Sequence, residues 1–134
     1  MTYRLNGQFL AVGAKLAGPA GLTVARWQVL SAIMRQPLPV AGIARAMGLT
    51  RQSVQRVADR LVDDGLAEYL PNPAHRRAQL VRPTNSGYSA VRDIDPALAA
   101  FAKRVTAVMG TDGLAGALAA MTALSQVLEE LEEQ

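Results

Sequence analysis

Apolar positions along this chain recur mostly at helical spacing, with one short stretch where they alternate instead. Leu5, Phe9, Val12 and Leu16 form a stripe through residues 2–17, and Gly18-Pro19 marks its end. Thr23 is placed to cap a second helix reaching about Gln36. That spacing turns Trp27, Leu30, Ile33 and Met34 inward and Arg26 and Arg35 outward, and Pro37 and Pro39 forbid continuation. Val40–Met47 reads as a third helix and Gly48 as a turn. Thr50–Asp64 is then a fourth helix with Val54, Val57, Leu61 and Val62 as its buried stripe. Gly65 ends it. The alternating stretch follows: Leu66–Leu70 and Ala78–Val81 read as the strands of a hairpin spanning Leu66–Arg82. Beyond it, Thr84 caps a helix through about Asp93, and Asp95-Pro96 predicts an interruption or kink. Leu98, Phe101, Val105 and Val108 carry the apolar face on to Gly110, which breaks the chain before Thr111 caps it again. A last helix over Leu114–Leu131 shows Leu114, Leu118, Met121, Leu124, Leu128 and Leu131 every three or four residues.

Two helices joined at a glycine corner and followed by a hairpin make a winged helix-turn-helix, a fold that places its second helix in the DNA major groove. Ala41, Gly42, Ala44 and Ala46 are small enough to let the two helices approach closely. The fold class expected is therefore mainly α with a small β-hairpin wing, flanked by helices from both chain ends. It forms a single domain over residues 1–134, with the DNA-binding lobe at 22–83 and dimerisation helices at 1–20 and 84–134.

The fourth helix carries the functional reading. Its polar face bears Arg51, Gln52, Ser53, Gln55, Arg56, Asp59 and Arg60, behind Thr50 as N-cap. The first two turns hold cations and amides with no carboxylate, while Asp59, Asp63 and Asp64 gather at the far end. A helix charged only for its own stability would be arranged the other way round. One that points its N-terminus at phosphates and base edges would be charged like this. A solvated amphipathic helix explains the charges alone, but not the glycine corner before them. In the hairpin, Pro71–Arg77 is too polar and Pro-rich for a core, and Arg76 and Arg77 at its tip suit a narrow minor groove or a phosphate clamp. An ordinary surface hairpin with incidental arginines is the blander alternative.

The run ARAMGLTRQSVQRVADRLVDDGLAEYLPNPAHRRAQLVRPTNSGY, with LTVARWQVLSAI upstream, resembles the DNA-binding lobe of MarR-family transcription regulators. The resemblance covers Leu22–Tyr88, about half the chain. It implies a homodimer whose interface is built from helices at both chain ends. It further implies binding to pseudo-palindromic operators, mostly as a repressor, and in many members release by small phenolic or other aromatic ligands. One position departs from the family: His75 stands where an acidic residue usually orients the arginine two residues on, here Arg77. A neutral imidazole can accept from that arginine, whereas a protonated one repels it.

Composition narrows the alternatives. A chain of 134 residues is one domain by size, and half of it is apolar. With only 4% aromatic residues, the core must be aliphatic, and Trp27 is its single tryptophan anchor. The absence of cysteine excludes disulfides, thiol catalysis and thiolate metal sites, and with them the peroxide-sensing branch of the resembling family. One histidine and no nucleophile-and-base set, metal cluster or phosphate loop argue against an enzyme, and no cofactor is called for. Residues 1–20 lack the pattern of a secretory signal, so a cytoplasmic protein is expected. The run Leu114–Leu128 is too short, and too interrupted by Gly116, Thr122, Ser125 and Gln126, to span a bilayer, so no membrane is expected. Net charge is only +3, but seven basic residues and no acid precede Asp59, while four glutamates close the chain. That asymmetry suits a polyanion at the front of the molecule.

The expected partners are thus double-stranded DNA and a second copy of the chain. Arg51, Gln52, Gln55 and Arg56 are candidates for base edges and nearby phosphates, and Arg45, Arg60 and Arg76 for phosphates. By family precedent a small aromatic ligand would sit between the dimer helices and the lobe, among Phe9, Val12, Leu16, Trp27, Leu30 and Met34, each equally explained as core. Two other classes fit less well: a winged-helix protein-interaction module, which does not require Arg51, Gln55 and Arg56 to face outward together, and a non-specific architectural DNA binder.

Overall fold

The computed structural model describes all 134 residues and divides into two compact units, Met1–Asp95 and Pro96–Gln134. The first contains α1 (Thr2–Ala17), a 3-10 turn (Gly18–Ala20), α2 (Val24–Ala32), β1 (Leu38–Pro39), α3 (Val40–Met47), α4 (Arg51–Asp63), β2 (Ala67–Leu70) and β3 (Leu80–Pro83). It also holds the opening turns of α5 (Asn85–Glu132), which continues into the second unit. The helix α1 lies in the same compact unit as α2–α4 and the wing.

As composition requires, the core of the first unit is aliphatic. Val29, Leu30, Ile33, Ile43, Val54, Leu61, Val81 and Ile94 are its largest fully enclosed side chains, contributed by α2 and its C-terminal end, α3, α4, β3 and α5. Trp27 packs half-buried against it. Removing such side chains from water supplies roughly 1.5–3 kcal/mol each, so these residues hold the lobe together.

The glycine corner forms as the spacing predicts. Gly48 takes a left-handed conformation (φ 65°), and the amides of Gly48 and Leu49 both return to the Ala44 carbonyl. A residue with a Cβ is strained there by roughly 1–2 kcal/mol. With α3 closed off in this way, Thr50 is free to open α4, its Oγ1 accepting from the Ser53 amide at 3.1 Å.

The bounds of α2 and of β3, which runs over Leu80–Pro83 rather than Ala78–Val81, differ from expectation, and one further strand appears. The second helix ends at Ala32, not Gln36, because the Ile33 and Met34 amides close tight turns onto Leu30 and Ser31. Extended backbone must also begin before Pro37 and Pro39, since the residue ahead of a proline is pushed out of the helical region. That extended segment is β1, a strand the sequence reading did not include. The sheet order is β1-β3-β2, all antiparallel, with Leu38 opposite Val81 and Tyr69 opposite Val81 on the other side. Pro39 is tolerated because β1 is an edge strand. The wing is therefore a hairpin fastened to the lobe through its second strand.

At the base of the wing, Thr84 joins three elements. Its amide donates to the Leu66 carbonyl (3.1 Å), its hydroxyl donates to the Gly65 carbonyl (2.7 Å), and the same oxygen accepts from the Gly87 amide (3.2 Å). Gly87 lies so close to this junction that a Cβ would run into the Leu66 carbonyl oxygen.

Helical structure runs without interruption through Pro96, and Gly110 (φ 76°, ψ 160°) is the one non-helical residue within Asn85–Glu132. The final stretch over Leu114–Leu131 is helical, as its apolar spacing predicts. By length and composition alone this helix passes the test for a membrane span, at a mean hydropathy of 1.3 over 18 residues. Its apolar side chains, including Leu118, Met121, Leu124, Leu128 and Leu131, are exposed within the chain. In α1 the outer stripe is uncovered too: Leu5, Phe9 and Leu10 are exposed, and only Gly13 and Ala17 are buried.

Candidate nucleic-acid interface

The helix α4 is held by one face and presents the other. Val54, Ala58 and Leu61 are fully buried, while Val57 and Val62 lie at the margin. Ala58 was missed in sequence because alanine carries little hydrophobic weight, yet it sets how closely α4 sits on the core. Opposite this stripe, Arg51, Gln52, Gln55, Arg56, Asp59 and Arg60 are exposed and Ser53 is half-buried. The first turn contains no acid, so its free amides and the Arg51 guanidinium add to the positive end of the helix dipole, with Arg56 on the next turn.

Ion pairing sorts these cations. Arg51 and Arg56 form no salt bridge, and neither do Arg45, Arg76 and Arg77. Arg60, in contrast, leans on Asp64 at 3.5 Å, and Asp64 is also held by Arg26 from α2 at 3.1 Å. Arg26 was read only as an outward-facing residue of the second helix. Folding brings it with Thr23, Ser53, Arg56, Val57 and Arg60 around a groove of about 290 Å³ between the start of α2 and α4. Three guanidiniums line this groove, two of them sharing Asp64.

Gln55 is exposed but not free. Its Nε2 donates to Asp59 Oδ1 (2.9 Å) and to the Tyr69 hydroxyl (3.0 Å), and that hydroxyl donates to the same Asp59 oxygen. The Tyr69 proton is held well above the ordinary phenol range, first by burial and then by its bond to Asp59. Tyr69 stands on β2, so this trio ties the wing to the recognition helix. Sequence spacing shows the Gln55–Asp59 step along a helix, but not the strand residue that completes it.

The wing loop is shaped by Asn72. Its Oδ1 accepts from the Ala74 amide (3.0 Å) and its Nδ2 donates to the Ala78 carbonyl (2.8 Å), while the His75 amide returns to the Asn72 carbonyl (3.1 Å). His75 takes part through its backbone, and its ring is exposed. Arg76 and Arg77 project from this loop, both exposed. Arg77 faces Arg51, Gln52, Gln55 and Tyr69 across a groove of about 400 Å³. Glu68 and Arg82, opposite each other in register, pair across the strands and neutralise one another there. The residues expected to contact DNA are thus outward on one lobe. The proposed ligand-pocket residues are not alike: Leu30 is core, Leu16, Trp27 and Met34 pack against it, and Phe9 is 56% exposed.

Residues 20–78 match the sequence model of the MarR family. An uncharacterized protein of Mycobacterium tuberculosis is 45% identical over 85 residues, a match spanning 63% of this chain and 59% of that protein. The chain thus matches about three-fifths of the relative's length. Among solved structures, the transcriptional repressor CouR bound to a 23-mer DNA duplex superposes with a TM-score of 0.79 at 23% identity, covering 93% of this chain and 92% of that one. PcaV, a transcriptional regulator of Streptomyces coelicolor in complex with its natural ligand, does so at 0.81 and 21% identity, covering 93% and 89%. Residues 20–78 thus resemble the MarR family, a family of transcription regulators, and the chain has the winged helix-turn-helix fold seen in CouR and PcaV.

Proposed function

We propose that the protein is a sequence-specific DNA-binding regulator that represses transcription in the cytoplasm as a homodimer on a pseudo-palindromic operator. The observation that carries this reading is the outward face of α4, where Arg51 and Arg56 stand exposed and free of acidic partners beside Gln52. Two such helices related by a two-fold axis enter adjacent major grooves about one helical turn, roughly 10 base pairs, apart. Arg51, Gln52, Gln55 and Arg56 read base edges. Arg45, Arg60 and Arg76 hold phosphates, joined by Arg26 in the groove beside α2, and Arg77 reaches for the minor groove.

The second copy is called for by the apolar stripes left uncovered on α1 and along Pro96–Gln134, each too extensive for a solvated helix face. A small aromatic ligand that favours a dimer spacing unable to straddle the two half-sites would release DNA by population shift. CouR on its duplex and PcaV with its ligand support both halves of this reading by analogy of fold. Selection of bound duplexes from a random pool tests it. The expected product is an inverted repeat with half-sites about one turn apart, and enrichment of no sequence refutes it.

A further inference from the structure

We propose that Asp64 is an internal counter-anion that a backbone phosphate of bound DNA replaces, so that its charge sets how strongly the lobe grips duplex of any sequence. The inference rests on the reading of α4 as the DNA-facing helix and adds how Arg26 and Arg60 are held until DNA arrives.

The geometry starts from one carboxylate oxygen. Asp64 Oδ2 lies 3.1 Å from Arg26 Nη1 on α2 and 3.5 Å from Arg60 Nε on α4. Both guanidiniums line the groove of about 290 Å³ between these helices, and Arg56 lines it too. Arg56 has no acid of its own, so Asp64 is the anion that offsets the repulsion among three gathered cations. Its place is not one that α4 itself favours. Asp64 caps the C-terminal end, where the helix dipole is negative and a carboxylate is disfavoured. The guanidinium that reaches it from α2 compensates that placement.

Each arginine commits one nitrogen to Asp64, so both keep N–H donors for a second anion. A phosphate oxygen is negative like the carboxylate oxygen and accepts from the same fork of donors. The side chains of Asp64 and Arg60 are 34% and 65% exposed, and ion pairs that water reaches are weak enough to exchange. The exchange leaves a difference in charge. Three guanidiniums and one carboxylate carry two net positive charges, so the groove neutralises one phosphate fewer than its arginines alone would. Asp64 thereby restrains the sequence-independent part of binding while leaving the outward side chains of Arg51, Gln52 and Gln55 untouched.

The test titrates random-sequence duplex across a salt series with the full-length protein and its variants. Asp64→Asn keeps the side chain's shape and removes its charge. It should raise affinity for random duplex about tenfold at roughly 50 mM salt and steepen the salt dependence by about one unit of slope per subunit. Asp63→Asn is the control, because Asp63 is exposed, forms no salt bridge and changes the net charge equally one residue away. Its effect should stay within about twofold, since no phosphate-gripping arginine is set free. In protein that also carries Arg26→Gln and Arg60→Gln, Asp64→Asn should do no more than Asp63→Asn. If Asp64→Asn merely matches Asp63→Asn, lowers affinity, or keeps its full gain without the two arginines, the counter-anion role is refuted while the regulator reading stands. If wild type binds no duplex at all, both fall together.

Discussion

Arg56 and Arg60 stand one turn apart on α4, are both exposed and both positive, yet the structure separates their roles. Asp64 already holds Arg60, whereas Arg56 has no acid to satisfy it. Arg56→Ala should accordingly lower affinity for the selected operator by about 1–3 kcal/mol while changing binding to random duplex far less, measured by titration of both at one salt concentration. An equal loss on both duplexes would reassign Arg56 to the phosphates. For Arg76 the expectation is reversed: Arg76→Ala should weaken all sequences alike and flatten the salt dependence by about one unit of slope per subunit. Tyr69 makes a prediction about stability. Burial and the bond to Asp59 raise its pKa in the folded chain above the unfolded value of 10.0. A raised acid favours folding while it is protonated, so this contribution is complete below pH 10 and is lost as pH climbs from there toward the folded value. Urea melts across that range should show wild type losing stability relative to Tyr69→Phe, and a pH-independent difference would contradict it. At this scale most contact candidates were legible in sequence, because a charged face needs only helical periodicity to be seen. Ala58, Asn72, Arg26 and Tyr69 were not, since each acts through a neighbour distant in the chain or through a backbone turn.

The wing and the start of α5 are one joint, not two neighbouring elements. Thr84 satisfies the Gly65 carbonyl and the Gly87 amide together, and Gly87 admits the Leu66 carbonyl where any side chain would clash. Gly87→Ala should therefore destabilise the lobe by more than the roughly 1–2 kcal/mol expected for Gly48→Ala, where only a left-handed backbone is at stake. Thermal melts of the two variants rank them directly. Leu61→Ala, emptying the centre of α4's buried face, should cost about 2–5 kcal/mol. Helices α1, α3 and α4 and the hairpin were readable because periodicity, caps and glycine stops agree over eight or more residues. The two-residue β1 is too short to have a period, and it exists only because β3 offers an edge beside two prolines.

Across the molecule, the exposed leucines and Met121 of residues 114–131 and the outer stripe of α1 are the features no single chain accounts for. Light scattering at micromolar concentration should give a mass near twice 14.2 kDa. A mass near 14.2 kDa, that of a monomer, would refute the paired operator geometry, while leaving the lobe's own contacts intact. Replacing Leu124 and Leu128 with glutamate should dissociate the dimer and reduce operator binding to that of isolated half-sites, seen as loss of dependence on half-site spacing.

By itself the sequence determined the order of elements, the glycine corner, the cap of α4 and the outward charge of its leading turns, because each rests on interactions within one or two turns of chain. Tertiary structure decided which cations remain unpaired, what holds the wing loop and which way the Gln55 amide points. Those outcomes depend on Asp64 meeting Arg26 and on Asp59 meeting Tyr69, encounters between residues 38 and 10 positions apart that no local period encodes.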